Sequence, residues 1–344
     1  MKAVRVHAYE QQPTIDDVPE PAASGPMDVV VRVDAAGVCR TDLHIIEGQW
    51  AEKSGVELPY TIGHENAGTV VEVGAAVTNV TVGDAVILHP LVTCGLCRAC
   101  RAGDDVHCAD SRFPGISVDG GMAELMLTSA RSVVKLADGL APADVAALAD
   151  AGLTAYHAVR KAVPLLYPGA HVVVIGAGGL GHIGVQSMLA MSPATVTVLD
   201  RNEKALQHAA ELGAHHTVHA GGDHVAQVLE LTEGNGAQVV LDFVGENGTE
   251  DEGIAMTRQA GSYFAIGYGG RIHVPTIEFV SREINVIGNL VGSYNDLVEL
   301  MALAAQGRVT LRTQRYALAD ALTALTDLDH GDVPGGRAIL VPAR

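Results

Sequence analysis

The sequence predicts an α/β protein: a doubly wound parallel sheet joined to a second, β-rich domain. Three observations predict it. Beyond residue 168, apolar strands alternate with helices; a Gly-x-Gly-x-x-Gly run lies between the first of those strands and its helix; and the first 130 residues carry short alternating apolar runs broken by Gly and Asp turns. At 344 residues, the length suits about two domains, each able to bury its own core.

The early runs include Val29-Val30-Val31-Arg32-Val33-Asp34, Thr69-Val70-Val71-Glu72-Val73 and Gly83-Asp84-Ala85-Val86-Ile87-Leu88. Their period of two suits half-buried strands between turns. Over 144–160, apolar residues recur at three- and four-residue intervals, which predicts a helix. Strands are then predicted over 171–176, 195–200, 216–220, 239–245, 262–267 and 285–291, with helices over 179–191 and 202–212 opening the alternation. Parallel neighbours need crossover connections, so six apolar strands with intervening helices specify a doubly wound sheet. Helices over 296–306 and 318–328 and a strand over 337–341 follow. With six strands already placed, this tail is expected to return to the first domain.

Apolar residues make up 48% of the chain and charged ones 18%, a globular composition. No apolar run approaches the ~20 residues that would cross a bilayer. Against 40 acidic side chains stand only 22 Lys and Arg, for a formal charge of -18. Such a surface repels phosphate backbones and anionic lipid heads, which argues against nucleic acid and membrane as partners. No apolar secretory segment precedes Met1-Lys2-Ala3-Val4-Arg5, so a soluble cytoplasmic protein is expected.

Four of the five cysteines fall in one window: Cys94, Cys97, Cys100 and Cys108. Thiolates repeated every third residue in a loop can turn onto one cation, and the fourth closes a tetrahedron. Two disulfides are the alternative, but a reducing compartment and a domain of this size favour a structural zinc.

In 171–181, His-Val-Val-Val-Ile-Gly-Ala-Gly-Gly-Leu-Gly, the glycine triplet follows a buried strand and opens a helix. Gly176 permits the sharp turn, Gly178 lets the backbone approach a pyrophosphate, and Gly181 lets helix and strand pack closely. With Gly179 and Leu180, these residues form a candidate dinucleotide cradle. Asp200 ends the second strand at the distance expected for a carboxylate accepting both adenosine ribose hydroxyls. It would also repel a 2′-phosphate, which favours NAD over NADP; the neighbouring Arg201 softens that preference.

Cys39 lies in Gly37-Val38-Cys39-Arg40-Thr41-Asp42-Leu43-His44, and His64 in Gly63-His64-Glu65-Asn66-Ala67-Gly68. Taken alone, Cys39 suits a buried small hydrophobe and His64 a structural imidazole. Together with the cysteine window, the run 150–157 (Asp-Ala-Gly-Leu-Thr-Ala-Tyr-His), the glycine loop and Gly336-Arg337, these segments give a specific likeness. The chain resembles the zinc-dependent alcohol dehydrogenases of the medium-chain dehydrogenase/reductase superfamily.

That resemblance implies a GroES-like catalytic domain over 1–152 and 292–344, with a Rossmann dinucleotide domain over 153–291 inserted into it. It implies two zinc ions per chain, one structural and one catalytic. Cys39, His64 and Asp150 match the ligands of the catalytic ion; a carboxylate at the third place departs from the two-cysteine, one-histidine set. Glu65 is a rival for that place. Asp42 matches the carboxylate that fixes the His64 tautomer, although a turn Asp capping a local N–H reads equally well. Thr41 and His44 match a relay carrying the alcohol proton to solvent. Arg40 and Arg337 match guanidinium groups on the cofactor pyrophosphate. Val244, Ile266 and Leu290 match positions beside the nicotinamide, where core packing is a competing role. Trp50, His89 and Pro90 match substrate-pocket walls.

The function implied is reversible, NAD-dependent oxidation of an alcohol to a ketone or aldehyde, with the Trp50 indole favouring small secondary or aryl alcohols. Three alternatives compete. A polyol or sugar-alcohol dehydrogenase would carry a more polar pocket, a zinc-free quinone reductase would lack the ligand set, and a non-catalytic NAD-binding redox sensor would carry a damaged metal site or relay. Self-association is implied as well, with a homotetramer favoured over a dimer.

Overall fold

The strand Asp28–Val38 is the spine of the first unit. It pairs antiparallel with Glu65–Val73, Arg337–Val341 and Leu125–Ser129. A computed structural model of the chain describes residues 1–333 and 336–343. The sheet continues from Glu65–Val73 through Ala85–Leu88 to Val133–Lys135, and beyond Arg337–Val341 to Thr313–Ala317. A smaller sheet joins Thr14–Asp17, Lys2–Val6 and Tyr60–Thr61. Between them lies a core that includes Val4, Val29, Val31, Ile45, Ile62, Met122 and Leu340. This unit comprises Met1–Leu153 and Gly292–Arg344.

Strand register brings its functional segments together. Gly37 pairs with Glu65, so Cys39, just past the end of one strand, lies beside His64, just before the start of the next. Gly37 must lack a side chain, because a Cβ there would meet the Glu65 carboxylate. The helix Arg40–Ile46 begins at Cys39, whose N–H donates to Asp42 Oδ2 at 2.8 Å while the Asp42 N–H donates to the Cys39 carbonyl at 3.0 Å.

The second unit, Thr154–Val291, is the expected parallel sheet. Its six strands run in the order His216–His219, Thr195–Asp200, His171–Ile175, Ala237–Asp242, Thr257–Ala265, Asn285–Gly288. Successive side chains leave opposite faces of a strand. Val172, Val174, Val196, Val198 and Leu241 therefore enter one core, and Val173, Ile175, Leu199 and Val240 the other. Burial on both faces explains the near-continuous apolar runs.

Among the differences from the sequence expectation, two have a clear physical cause. The helix expected over 144–160 is broken into Pro142–Val145, a short 3-10 turn and Ala151–Ala162, with Asp150 in the gap. At the gap, the Glu65 carboxylate accepts the Ala151 N–H at 3.0 Å. Local periodicity cannot reveal a cap from so distant a residue. No sequence pattern predicts the strand Thr313–Ala317; at the sheet edge its residues are half-buried or exposed and carry no apolar signature. Among the described residues, no helix is long and apolar enough to cross a membrane.

Candidate functional site

In the first unit, ligand atoms of Cys39, His64, Glu65 and Asp150 all lie within 4.8 Å of one another. Cys39 and His64 are buried, Asp42 and Glu65 wholly so, and the Asp150 side chain is 14% exposed, which leaves this group open on one side. His64 Nε2 is 3.4 Å from Asp150 Oδ2, and Nδ1 is 3.3 Å from Asp42 Oδ1. Among the described residues, neither ring nitrogen has an aligned hydrogen-bond partner. A buried imidazole left so is costly, and a cation held by Cys39, His64 and Asp150 would remove that cost at Nε2. The donor set of one thiolate, one imidazole and one carboxylate suits zinc. Burial disfavours a charged His64, but the Asp42 carboxylate outweighs it and holds the imidazole pKa well above its usual value.

Glu65 is the ligand candidate with both oxygens already engaged. Oε1 accepts the Ala151 N–H, and Oε2 is paired with the buried Arg337 guanidinium. Burial raises its carboxyl pKa, and Arg337 works against that rise. Arg337 is 4% exposed and also touches Cys39.

Thr41 and His44, three residues apart on the helix Arg40–Ile46, share one face of it, and both are half-buried. Arg40 is exposed. Trp50 is half-buried against the β core, with the Lys53 ammonium 5.7 Å from its ring centre. Pro90 is buried. His89 is buried too, with Nδ1 3.1 Å from the Leu91 carbonyl and Nε2 3.0 Å from the Gly292 carbonyl. Its imidazole thus braces the chain where residue 292 joins this unit.

The four remaining thiols are unpaired by disulfides, and their sulfurs lie within 4.8 Å of one another. Cys97 Sγ is 3.5 Å and Cys94 Sγ 4.0 Å from Cys100 Sγ. A tetrahedron built on the usual Zn–S bond has an edge of ~3.8 Å. Backbone N–H groups of Leu96 and Cys97 donate to Cys94 Sγ, and that of Cys94 to Cys108 Sγ, at 3.3–3.4 Å. Donors from Cys100 and Ala109 lower the Cys97 thiol to about 6, whereas burial and its cysteine neighbours push Cys100 up to about 12. The group fits a structural zinc.

In the second unit, Gly176 has φ +85°, the left-handed region that a β-carbon disfavours. A Cβ at Gly181 would strike the Gly176 carbonyl, whereas one at Gly178 would meet nothing within 4 Å. Since the fold leaves the Gly178 Cβ position empty, that space is available to a bound group. The N–H groups of Gly178, Gly179 and Leu180 have no acceptor among the described residues. Unfilled space beside free donors fits a pyrophosphate. Asp200 ends its strand half-buried, with Oδ2 accepting the Ala177 N–H at 2.7 Å and Oδ1 the Asn202 N–H at 2.8 Å. Val244 is half-buried, Ile266 is 8% exposed within the core, and Leu290 is 55% exposed.

Residues 25–138 match the family model for the alcohol dehydrogenase GroES-like domain, and residues 179–306 that for the zinc-binding dehydrogenase. An NAD-dependent alcohol dehydrogenase of Sulfurisphaera tokodaii is 35% identical, covering 99% of this chain and all of the relative. The chain belongs to the zinc-dependent alcohol dehydrogenase family. The crystal structure of an alcohol dehydrogenase from Aeropyrum pernix matches this dehydrogenase with a TM-score of 0.96 at 48% identity, covering 99% of this chain and 100% of that one. A D-arabinose 1-dehydrogenase (NADP(+)) of Saccharolobus solfataricus is 36% identical over 99% of this chain and 97% of its own length.

Sequence reasoning missed two features of this dehydrogenase. Buried Asp242 accepts from the backbone N–H groups of Val244 and Gly245 and from the hydroxyls of Thr249 and Tyr263, at 2.8–2.9 Å. Its place at a strand end, like that of Asp200, was the available signal. His182, directly after the glycine triplet, donates from Nδ1 to the Gly178 carbonyl at 2.8 Å.

Proposed function

We propose that this protein is a zinc- and NAD-dependent alcohol dehydrogenase, moving hydride between a small secondary or aryl alcohol and NAD to give a ketone or aldehyde. The observation that carries the reading is the cluster of Cys39, His64 and Asp150, in which the buried His64 Nε2 has no aligned hydrogen-bond partner among the described residues.

Cys39, His64 and Asp150 would hold a zinc ion that would supply Lewis acidity to an alcohol, and the glycine loop would hold a nicotinamide cofactor that would supply the hydride acceptor. Asp42 Oδ1, 3.3 Å from Nδ1, favours a proton on that nitrogen and so leaves Nε2 to the metal. Glu65, pinned by Arg337 and the Ala151 N–H, stands behind the other three as a positioning carboxylate. The Thr41 hydroxyl would accept the alcohol proton as it releases its own toward His44, on the same helix face, which would exchange a proton with solvent. Arg40, exposed at the start of that helix, would contact a cofactor phosphate on this reading. The glycine loop presents its free N–H groups to the pyrophosphate. Asp200 receives the adenosine ribose and turns away a 2′-phosphate, which supports NAD.

A sugar or polyol substrate is the second reading, favoured by the D-arabinose dehydrogenase relative. A panel of propan-2-ol, 1-phenylethanol, benzyl alcohol, sorbitol and D-arabinose with NAD and NADP tests both. Highest kcat/KM on a secondary or aryl alcohol with NAD is expected, and highest kcat/KM on the sugar moves the assignment to the second reading. In the same assay, Thr41→Val should lower turnover by about 100-fold; full turnover removes the relay. No turnover on any member would favour the sensor.

We also propose self-association, as a tetramer in preference to a dimer. Among the described residues, Asn285–Gly288 is an unpaired sheet edge, and Val286, Ile277, Val280 and Leu290 of the same unit are 43–72% exposed. An open apolar edge calls for a partner. Five free thiols suit a reducing cytoplasm.

A further inference from the structure

The loop that would hold the dinucleotide is fixed at three backbone groups. The Gly176 N–H donates to the Leu199 carbonyl at 2.7 Å, and the Ala177 N–H to Asp200 Oδ2 at 2.7 Å. The Gly178 carbonyl accepts twice from His182, from its backbone N–H at 3.2 Å and from ring Nδ1 at 2.8 Å. A carbonyl only accepts, so Nδ1 carries a proton. His182 is 1% exposed, in the first turn of the helix Gly181–Met191. Its ring lies 6.0 Å from that of His208, on the helix that follows Asp200.

In a trans peptide, C=O and N–H point in opposite directions. Drawing the Gly178 carbonyl back onto the helix therefore turns the Gly179 N–H outward, away from the helix, where it has no acceptor among the described residues. Glycine on both sides of this peptide makes other orientations cheap, so an unheld loop would spread over several. The imidazole removes that freedom before a ligand arrives.

We propose that His182 is a positioning residue for the dinucleotide: its Nδ1–H locks the Gly178–Gly179 peptide so that the loop N–H groups face the pyrophosphate. This rests on the NAD reading above and adds a residue to it. Preorganised donors bind without the cost of ordering. The effect should therefore be confined to ligands that carry the pyrophosphate.

Equilibrium binding of ADP-ribose and of adenosine, which lacks phosphate, tests this with the full chain and three variants. Asn keeps an N–H donor at the δ position, Gln moves it one bond outward, and Leu removes it. His182→Leu and His182→Gln should bind ADP-ribose about tenfold more weakly, a loss of one hydrogen bond's order. His182→Asn should stay within about twofold, and adenosine should bind all four proteins alike. Should His182→Leu fail to fold, the Asn and Gln pair decides. Unchanged ADP-ribose affinity in the Leu or Gln variant overturns the inference, as does an Asn variant as weak as Gln. An equal fall in adenosine affinity overturns it too, because the whole unit is then disturbed. A parent protein that binds neither NAD nor ADP-ribose overturns the cofactor reading itself, a result distinct from failure of the brace alone.

Discussion

His64 and Asp42 show how a single buried contact sets chemistry. The Asp42 carboxylate serves two masters, with one oxygen on the Cys39 N–H and the other 3.3 Å from the His64 ring. Asp42→Asn keeps the cap but loses the charge. It should weaken the proposed catalytic zinc about 10- to 100-fold, read by chelator competition, while the four-cysteine ion stays bound. Glu65 and Arg337 are a buried pair of the kind that is costly to halve. Glu65→Leu strands the guanidinium and should cost about 3 kcal/mol, read as a lower urea midpoint; an unchanged midpoint would mean the guanidinium finds another acceptor.

Within the glycine loop, the fold and the ligand make separate demands on separate residues. Gly181 has no room because the Gly176 carbonyl occupies its Cβ position, whereas nothing among the described residues fills the space at Gly178. Gly181→Ala should lower stability by about 1–3 kcal/mol. Gly178→Ala should leave the melting temperature alone and weaken NAD binding, which paired thermal and titration measurements can separate. The sequence alone made this loop legible, because strand, glycines and helix are contiguous, and the four cysteines were legible for the same reason. The cluster at Cys39 was not, since its members come from three segments and spacing offers no clue; only the family likeness gathered them. The Glu65 to Arg337 contact spans 272 residues, and the Asp200 bond to Ala177 depends on how two strands align. Neither has a local signature. The edge strand Thr313–Ala317 escaped notice because an exposed edge needs no apolar pattern.

Across the whole molecule, a charge of -18 keeps copies apart at long range, so association needs a patch where apolar contact prevails. Val280, 72% exposed on the helix Thr276–Arg282, is the sharpest probe of the proposed interface. Val280→Asp should shift the assembly toward smaller species in light scattering, and an unchanged mass would place the interface elsewhere. The strand Arg337–Val341 lies between Asp28–Val38 and Thr313–Ala317, and its first residue clamps Glu65 behind Cys39. On a ribosome, the opening half of that sheet leaves the exit tunnel hundreds of residues ahead of the strand that completes it. The nascent chain must therefore wait, with an unfinished sheet and a loose carboxylate, until residue 337 emerges. Completion of the proposed catalytic metal site thus waits for residue 337, whereas the four-cysteine loop, contiguous in the chain, can gather its thiols early.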